Sequence, residues 1–227
     1  MAAIIAVAAN TDGKREIAGL HIGLSEAETF WATFLKSMLR RGLRGVKLVI
    51  SDAHEGLKAA IRRVMAASWQ RCRVHWMRNA LSYVPNGQQS MVAAALRQTF
   101  IQPDHASASQ ALRHVADQLR AKWPKLAGFI DDSETDVLAH MDFLVQQRGK
   151  TSSTNGLERV NKEVKRRADV VGIFPNEGSI VHLIGAVPLE LNNEWQIQHR
   201  YMQTEPMSDL ASQTIEYVPT QISTAAA

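Results

Sequence analysis

Two carboxylates stand out by their surroundings. Glu158 lies in Thr154-Asn155-Gly156-Leu157-Glu158-Arg159, near the start of a segment that continues with Lys162, Lys165, Arg166 and Arg167. Asp52 closes the apolar run Val46-Lys47-Leu48-Val49-Ile50-Ser51-Asp52. Carboxylates beside dense positive charge suit a metal ion held against a phosphate backbone. Mg²⁺ takes oxygen ligands and keeps several waters, so a few carboxylates plus substrate phosphate form its usual site. Two such ions activate the attacking oxygen and stabilise the leaving one in an in-line displacement, and a third acid is normally needed to bridge them.

The same acids have a plainer reading. Asp52 followed by Glu55, and Asn155 followed by Glu158, both fit capping boxes, in which side chains only satisfy free backbone N–H groups at a helix start. Taken singly, that reading is the commoner. Two features favour chemistry: Asp52 ends a hydrophobic strand, where open α/β sheets place their sites, and Glu158 heads a helix rich in cations. On that helix Leu157, Val160, Val164 and Ala168 form the apolar stripe, and Glu158 lies at its edge with Lys162 and Lys165 on its own side. Arg159, Lys162, Lys165, Arg166 and Arg167 are the candidate contacts to that phosphate backbone, with a salt-dependent, sequence-independent mode of binding.

Composition bounds the setting. A chain of 227 residues with 45% apolar and 21% charged residues is ordinary for one or two soluble domains. A net charge of +4 and a pI of about 9.4 favour a polyanionic partner. The single cysteine, Cys72, excludes an internal disulfide framework and fits a reducing cytoplasm. The apolar segment from Met1 to Ala9 is too short to span a bilayer, so no membrane partner is expected.

The positioning elements follow from periodicity. Ile4 to Ala8 and Glu16 to Ile22 alternate as strands around Asn10-Thr11-Asp12-Gly13, a hairpin turn signal. Ser25 with Glu28 resembles a capping box for a helix whose stripe is Phe30, Phe34, Leu35 and Met38, stopping at Arg40-Arg41-Gly42. The strand Lys47 to Ile50 follows, and Ser51-Asp52 is expected to start the next helix, with Leu57, Ala60, Ile61, Val64 and Met65 inward. Trp69 to His75 reads as another strand, with Arg71, Arg73 and His75 alternating against Cys72 and Val74. Cys72 and His75 form a Cys-x-x-His pair, but structural zinc needs four ligands and no second pair is evident, so spacing alone favours a core cysteine on a strand.

From Trp76 to about Lys150 the pattern is helical only, with stripes at Met91, Ala95, Leu96 and Phe100, at Leu112, Val115 and Leu119, and at Leu126, Phe129 and Ile130. After the Glu158 helix, Gly172 to Asn176 makes a turn, and Ile180, Leu183, Ile184 and Val187 open a last helix that Pro188 should kink or break. Residues 203–227, rich in Ser, Thr, Gln and Ala, are expected to be a disordered tail. The organisation is thus 1–75 as an α/β part, 76–150 as a helical insertion, 151–202 as the helices carrying Glu158, and the tail.

Four motifs in order carry a family resemblance: Ser51-Asp52-Ala53-His54-Glu55-Gly56-Leu57, Arg71-Cys72-Arg73-Val74-His75, Thr154-Asn155-Gly156-Leu157-Glu158-Arg159 and Val171-Gly172-Ile173-Phe174-Pro175-Asn176. Over about residues 3 to 201 the chain resembles the mutator-type transposases of bacterial insertion sequences. The resemblance implies a ribonuclease-H-like fold with an all-helical insertion before the last catalytic helix. It also implies an Asp-Asp-Glu triad binding two Mg²⁺ ions, for which Mn²⁺ can substitute. Asp52 matches the second acid and Glu158 the third; both would be catalytic metal ligands. Cys72 and His75 become a family signature, active-site or DNA-proximal, and His75, Arg78 and Asn79 are potential phosphate contacts.

Two departures follow from the same resemblance. The family's first acid lies in an Asp-x-x-Tyr-like context on a strand before the hairpin, and Asp12, at a hairpin tip, cannot replace it. Phe143-Leu144-Val145-Gln146-Gln147-Arg148 stands where relatives usually carry a Phe-Pro-x-x-His-Trp-like stretch. The expectation is a mixed sheet lacking its first strand, and a truncated, catalytically incomplete copy. The implied function is cutting and joining DNA strands at element ends; the alternative is a noncatalytic DNA-binding or oligomerising remnant. Implied partners are insertion-sequence ends, target DNA, and further copies or an intact transposase, in a bacterial cytoplasm at the nucleoid.

Overall fold

A hairpin with two buried faces organises one half of the molecule. The computed structural model describes residues 2–23, 28–143, 145–172, 176–198 and 200–203. Strands β1 (Ala2–Ala9) and β2 (Arg15–Gly23) pair antiparallel. The turn is closed by Asn10, whose Oδ1 accepts from the N–H groups of Asp12 and Lys14, and by Gly13 at φ 73°. That left-handed backbone is what the Asp-Gly signal calls for. The register slips between Ala6 and Val7, leaving Ala18 without a cross-strand partner, and Arg41 donates to its carbonyl at 2.7 Å.

Alternation along the hairpin gives each face its own core. Ile4, Ala6 and Ala18 face helices α1 (Glu28–Arg40) and α2 (Glu55–Met65), where Phe34, Leu35, Met38 and Ile61 are buried. Ile5, Val7, Ile17 and Leu20 face helices α8 (Asn155–Val171) and α9 (Glu177–Ile197), against Val160, Val164, Val187 and Trp195. Helix α1 ends in a Schellman arrangement, with Leu43 N–H on the Met38 carbonyl, Gly42 N–H on the Leu39 carbonyl, and Gly42 at φ 109°. Its expected Ser25 cap lies outside the described residues.

The second sheet is a parallel pair, β3 (Leu48–Ser51) with β4 (Ser68–Arg71), joined by α2 as parallel strands require. The architecture is therefore α/β. No ladder joins the hairpin to the parallel pair among the described residues, so they form two two-stranded sheets rather than one mixed sheet. Helix α2 starts later than its sequence suggests. Ser51 stays in the sheet because its carbonyl accepts the Cys72 N–H at 2.7 Å, and the cap is His54, whose Nδ1 accepts from Leu57 N–H. The Asp52–Glu55 capping box does not form.

Strand β4 is also shorter than expected. The backbone turns at Cys72 into helix α3 (Arg73–Leu81), so Cys72 is its N-cap residue and His75 sits in its first turn. The alternation through His75 imitates a strand, but the spacing of four between Trp76 and Ala80 buries both completely, and that burial decides the backbone. Helices α4 (Asn86–Thr99), α5 (His105–Arg120), α6 (Pro124–Leu138) and α7 (Val145–Thr151) make the region between β4 and α8 helical, with no strand among its described residues. Its core includes Trp76, Leu96, Leu112, Leu126, Ile130 and Leu138. In the stripe of α4, Leu96 is buried and Ala95 and Phe100 pack against the same core, but Met91 is exposed and Val92 and Ala93 point inward in its place.

Pro188 lies within α9 without ending it. An interior proline costs about 3 kcal/mol, whereas burying Ile184, Val187 and Trp195 on either side returns about 1.5–3 kcal/mol apiece. Packing outweighs the lost rung. Of the expected turn after α8, Gly172 and Asn176 are described, with Asn176 capping α9. Of the expected disordered tail, residues 203–227, all but residue 203 lie outside the described residues.

A buried polar clasp fixes the insertion to the sheet. Gln70 of β4 donates from Nε2 to the Val137 and Arg71 carbonyls, and its Oε1 accepts the His140 N–H at 2.7 Å with His140 Nδ1 3.1 Å away. Burial foremost, then the charge of Arg73, pushes the His140 pKa down from 6.5 to about 4. Because the unfolded chain takes up this proton first, stability should fall as pH drops from about 6.5 to about 4, by on the order of 3 kcal/mol for His140 alone. Urea unfolding across that range should show a shallower loss in His140→Gln; an unchanged slope would refute the assignment. Gln70→Leu strands the His140 N–H and leaves the Val137 carbonyl with His140 Nδ1 3.1 Å away in place of two partners, and should cost about 1–3 kcal/mol at pH 7, read as a lower urea midpoint.

Candidate functional site at the carboxyl end of the parallel strands

Parallel pairing ends β3 and β4 at one level, with Ser51 opposite Arg71. The next residues, Asp52 and Cys72, therefore leave the sheet side by side, tied by the Cys72 N–H bond to the Ser51 carbonyl. Asp52 is exposed, and among the described residues its Oδ1 accepts only from the neighbouring Ala53 N–H at 2.7 Å. It caps no helix. A carboxylate at the carboxyl end of a parallel strand, with its oxygens facing water, is available to a ligand.

Glu158 reaches the same end of the sheet from α8. The segment before that helix is docked by the Arg73 N–H, which donates to the Ser152 carbonyl at 2.9 Å. Thr154 completes the join: its N–H lies 3.4 Å and its Oγ1 3.2 Å from Cys72 Sγ, and Oγ1 also lies 3.2 Å from Glu158 Oε1. His75 Nε2 is 3.6 Å from the same carboxylate oxygen. Thr154, not Asn155, occupies the N-cap of α8, so the Asn155–Glu158 capping box is not formed either. Cys72 Sγ, a His75 ring nitrogen and a Glu158 oxygen all lie within 4.8 Å of one another. Sequence reasoning left this trio unseen because it placed Cys72 and His75 on a strand.

The basic face of α8 divides into two sets. Glu163 receives a bidentate contact from Arg166 at 2.9 and 2.7 Å and one from Arg167 at 3.0 Å, and Arg167 also pairs with Glu190 at 2.6 Å. These guanidiniums, Arg166 first, hold the Glu163 carboxyl down at about 2. Arg159, Lys162 and Lys165 are exposed, with no carboxylate partner among the described residues. Arg78 and Asn79 lie on α3 with His75.

Further cations gather where α8 begins. The Arg15 guanidinium stacks on the rings of Trp195 and Tyr201 at 4.4 and 4.6 Å, and Lys150 Nζ lies 4.7 Å from the Tyr201 ring. A methyl group at Gly156 would sit 3.8 Å from both Arg15 Nη1 and Tyr201 Oη, so this group borders the turn that carries Glu158. Burial foremost, and the like charge of Arg159, lower the Arg15 pKa. Like charges held together beside a carboxylate end create positive potential for an anion. Arg15 lies 143 and 144 residues, and Lys150 8 and 9 residues, from Glu158 and Arg159 in sequence; no local pattern marked them. The Phe143–Arg148 stretch is fastened by Arg148, which donates to the Phe143, Met141 and Pro103 carbonyls.

Among the described residues no helix is long and apolar enough to cross a membrane. The family model described as "Transposase, Mutator family" matches residues 1–198. The chain is 41% identical over 206 residues to the transposase for insertion sequence element IS1081 of Mycobacterium tuberculosis, a match covering 90% of this chain and 50% of that protein. It is 39% identical over 207 residues to the transposase for insertion sequence element IS406 of Burkholderia multivorans, covering 90% and 53%. Over 196 residues it is 39% identical to the transposase for insertion sequence element IS256 in transposon Tn4001 of Staphylococcus aureus, covering 84% and 50%. The chain spans about half the length of these curated relatives. With the motifs around Asp52, Cys72 and Glu158 inside the matched residues, the chain belongs to the mutator family of transposases.

Proposed function

We propose that this chain supplies two acids, Asp52 and Glu158, and much of the DNA-binding surface of a transposase catalytic core acting at insertion-sequence ends. The observation that carries the reading is the delivery of Glu158, by the Ser152–Arg73 and Thr154–Cys72 contacts, to the sheet end from which Asp52 emerges. A ribonuclease-H-like core fits two unjoined sheets sharing a helix layer, because in that fold one strand lies between the hairpin and β3.

Asp52 and Glu158 offer the hard oxygen donors that Mg²⁺ or Mn²⁺ prefers, and both carboxylates are open to water. When bound, such ions activate the attacking oxygen and offset charge on the leaving one. The chain's own groups do the positioning. Thr154 orients the Glu158 carboxylate, and Arg159, Lys162 and Lys165 face outward beside it to hold phosphates. Arg15 and Lys150 extend that surface across the start of α8. Arg166 and Arg167, engaged by Glu163, are the weaker contributors.

Fluorescence anisotropy with duplex DNA tests the surface. Each phosphate contact contributes about 0.9 to the slope of log affinity against log salt, so replacing Arg159, Lys162 and Lys165 together by Ala should reduce the slope by about 2–3. Arg166→Ala should change affinity by less than about twofold at 0.15 M salt. An unaltered slope in the triple variant overturns the DNA assignment. Mn²⁺ titration tests the acids: Asp52→Asn and Glu158→Gln should each weaken binding at least about tenfold, since each removes one of few charged ligands. Equal Mn²⁺ affinity in wild type and both variants removes the metal reading.

A further inference from the structure

The trio at Glu158 does not match an all-oxygen site. We propose that Cys72, His75 and Glu158 form a second, soft-metal site that takes Zn²⁺ through one sulfur, one imidazole nitrogen and one carboxylate oxygen. It goes beyond the reading of Asp52 and Glu158 as Mg²⁺ ligands, though it shares Glu158 with it.

Distance supports the donor set. Tetrahedral Zn²⁺ with a sulfur at about 2.3 Å and nitrogen and oxygen at about 2.0–2.2 Å sets its ligand atoms about 3.3–3.7 Å apart. His75 Nε2 and Glu158 Oε1 are already 3.6 Å apart, and the three donor atoms lie within 4.8 Å of one another. Side-chain shifts of about an ångström close the shell.

Chemistry selects the ion. Thiolate and imidazole discriminate against Mg²⁺ and favour Zn²⁺ or Co²⁺. The donors come from structured backbone: Cys72 is the N-cap residue of α3, His75 lies in its first turn, and Glu158 lies in the first turn of α8. Thr154 contacts two of the three, the sulfur and the carboxylate, as outer partners do in metal sites. Arg73, next to Cys72, adds positive charge beside the sulfur. His75 Nδ1 is sealed from solvent without a hydrogen-bond partner among the described residues, so one ring nitrogen lacks the contact an imidazole normally has.

Access is through the carboxylate side. Cys72 is fully buried, whereas the side chains of His75 and Glu158 are 23% and 42% exposed, so the sulfur forms the floor of an opening that the other two line. Three protein donors leave a fourth position for water, the pattern of open rather than closed zinc sites. Because Glu158 cannot serve both sites fully, Zn²⁺ held here withdraws it from the Asp52 side.

Co²⁺ titration of the full chain, followed by Zn²⁺ displacement, decides the matter. The expected result is one equivalent of Co²⁺ with a near-ultraviolet thiolate charge-transfer band, bleached by Zn²⁺. Cys72→Ser should abolish the band. His75→Ala and Glu158→Gln should each weaken Co²⁺ binding at least about tenfold, with circular dichroism confirming that they stay folded. Asp52→Asn should leave Co²⁺ affinity within about threefold while weakening Mn²⁺, and Cys72→Ser should do the reverse. No thiolate band in the folded wild type, or a band indifferent to both His75→Ala and Glu158→Gln, overturns the proposal whatever the Mn²⁺ result.

Discussion

The register of β3 against β4 is the constraint on which the site depends. Four paired residues bring both strands to an end together, and the Cys72 N–H bond to the Ser51 carbonyl extends the pairing by one rung. Beyond it the chains diverge: Asp52 leads through His54 into α2, while Cys72 caps α3. A one-residue slip would turn Trp69, which is buried, to the opposite face and separate Asp52 from Cys72. The hydrophobic pattern of a four-residue strand thus sets the spacing of groups that carry no hydrophobic preference of their own.

From that end the α7–α8 connection is captured by few contacts. Arg73 N–H on the Ser152 carbonyl and Thr154 on Cys72 Sγ span about 80 residues of sequence, the whole helical insertion lying between. The insertion's own core is separate from those of the hairpin, and its attachment to the sheet includes the Gln70–His140 clasp. Its burial of Trp76 and Ala80 is what converts the segment after Cys72 from strand to helix. The insertion therefore shapes the site through backbone conformation, by moving His75 onto the first turn of α3.

Periodicity made the hairpin, the α1 and α8 stripes and the helical nature of residues 76–150 legible, because each rests on a repeated apolar spacing that burial enforces. Boundaries were less legible. Asp52 and Asn155 both looked like caps, but Cys72 holds Ser51 in the sheet so that His54 becomes the side-chain cap of α2, and docking of Thr154 to Cys72, with no side-chain cap, fixes where α8 begins. Three residues of alternation at Arg71, Arg73 and His75 imitated a strand, and only the distant core around Trp76 shows otherwise. Arg15 and Tyr201 were invisible because the hairpin and the segment after α9 bring them to the start of α8, beside Lys150 of α7, through tertiary contacts alone.

Thr154 concentrates the chemistry of the site in one proton. Its hydroxyl lies 3.2 Å from both Cys72 Sγ and Glu158 Oε1, yet a hydroxyl can donate only once. A donor to the carboxylate leaves the sulfur with the Thr154 N–H, whereas a donor to the sulfur frees the Glu158 oxygen for another cation. The hydrogen bond to an ionised acceptor is the stronger, so the hydroxyl turns toward whichever group carries the less compensated charge. A cation on Glu158 lowers the demand there and returns the hydroxyl to Cys72. Oxygen and sulfur acceptors at the head of α8 are in this way coupled through a side chain that binds no metal itself.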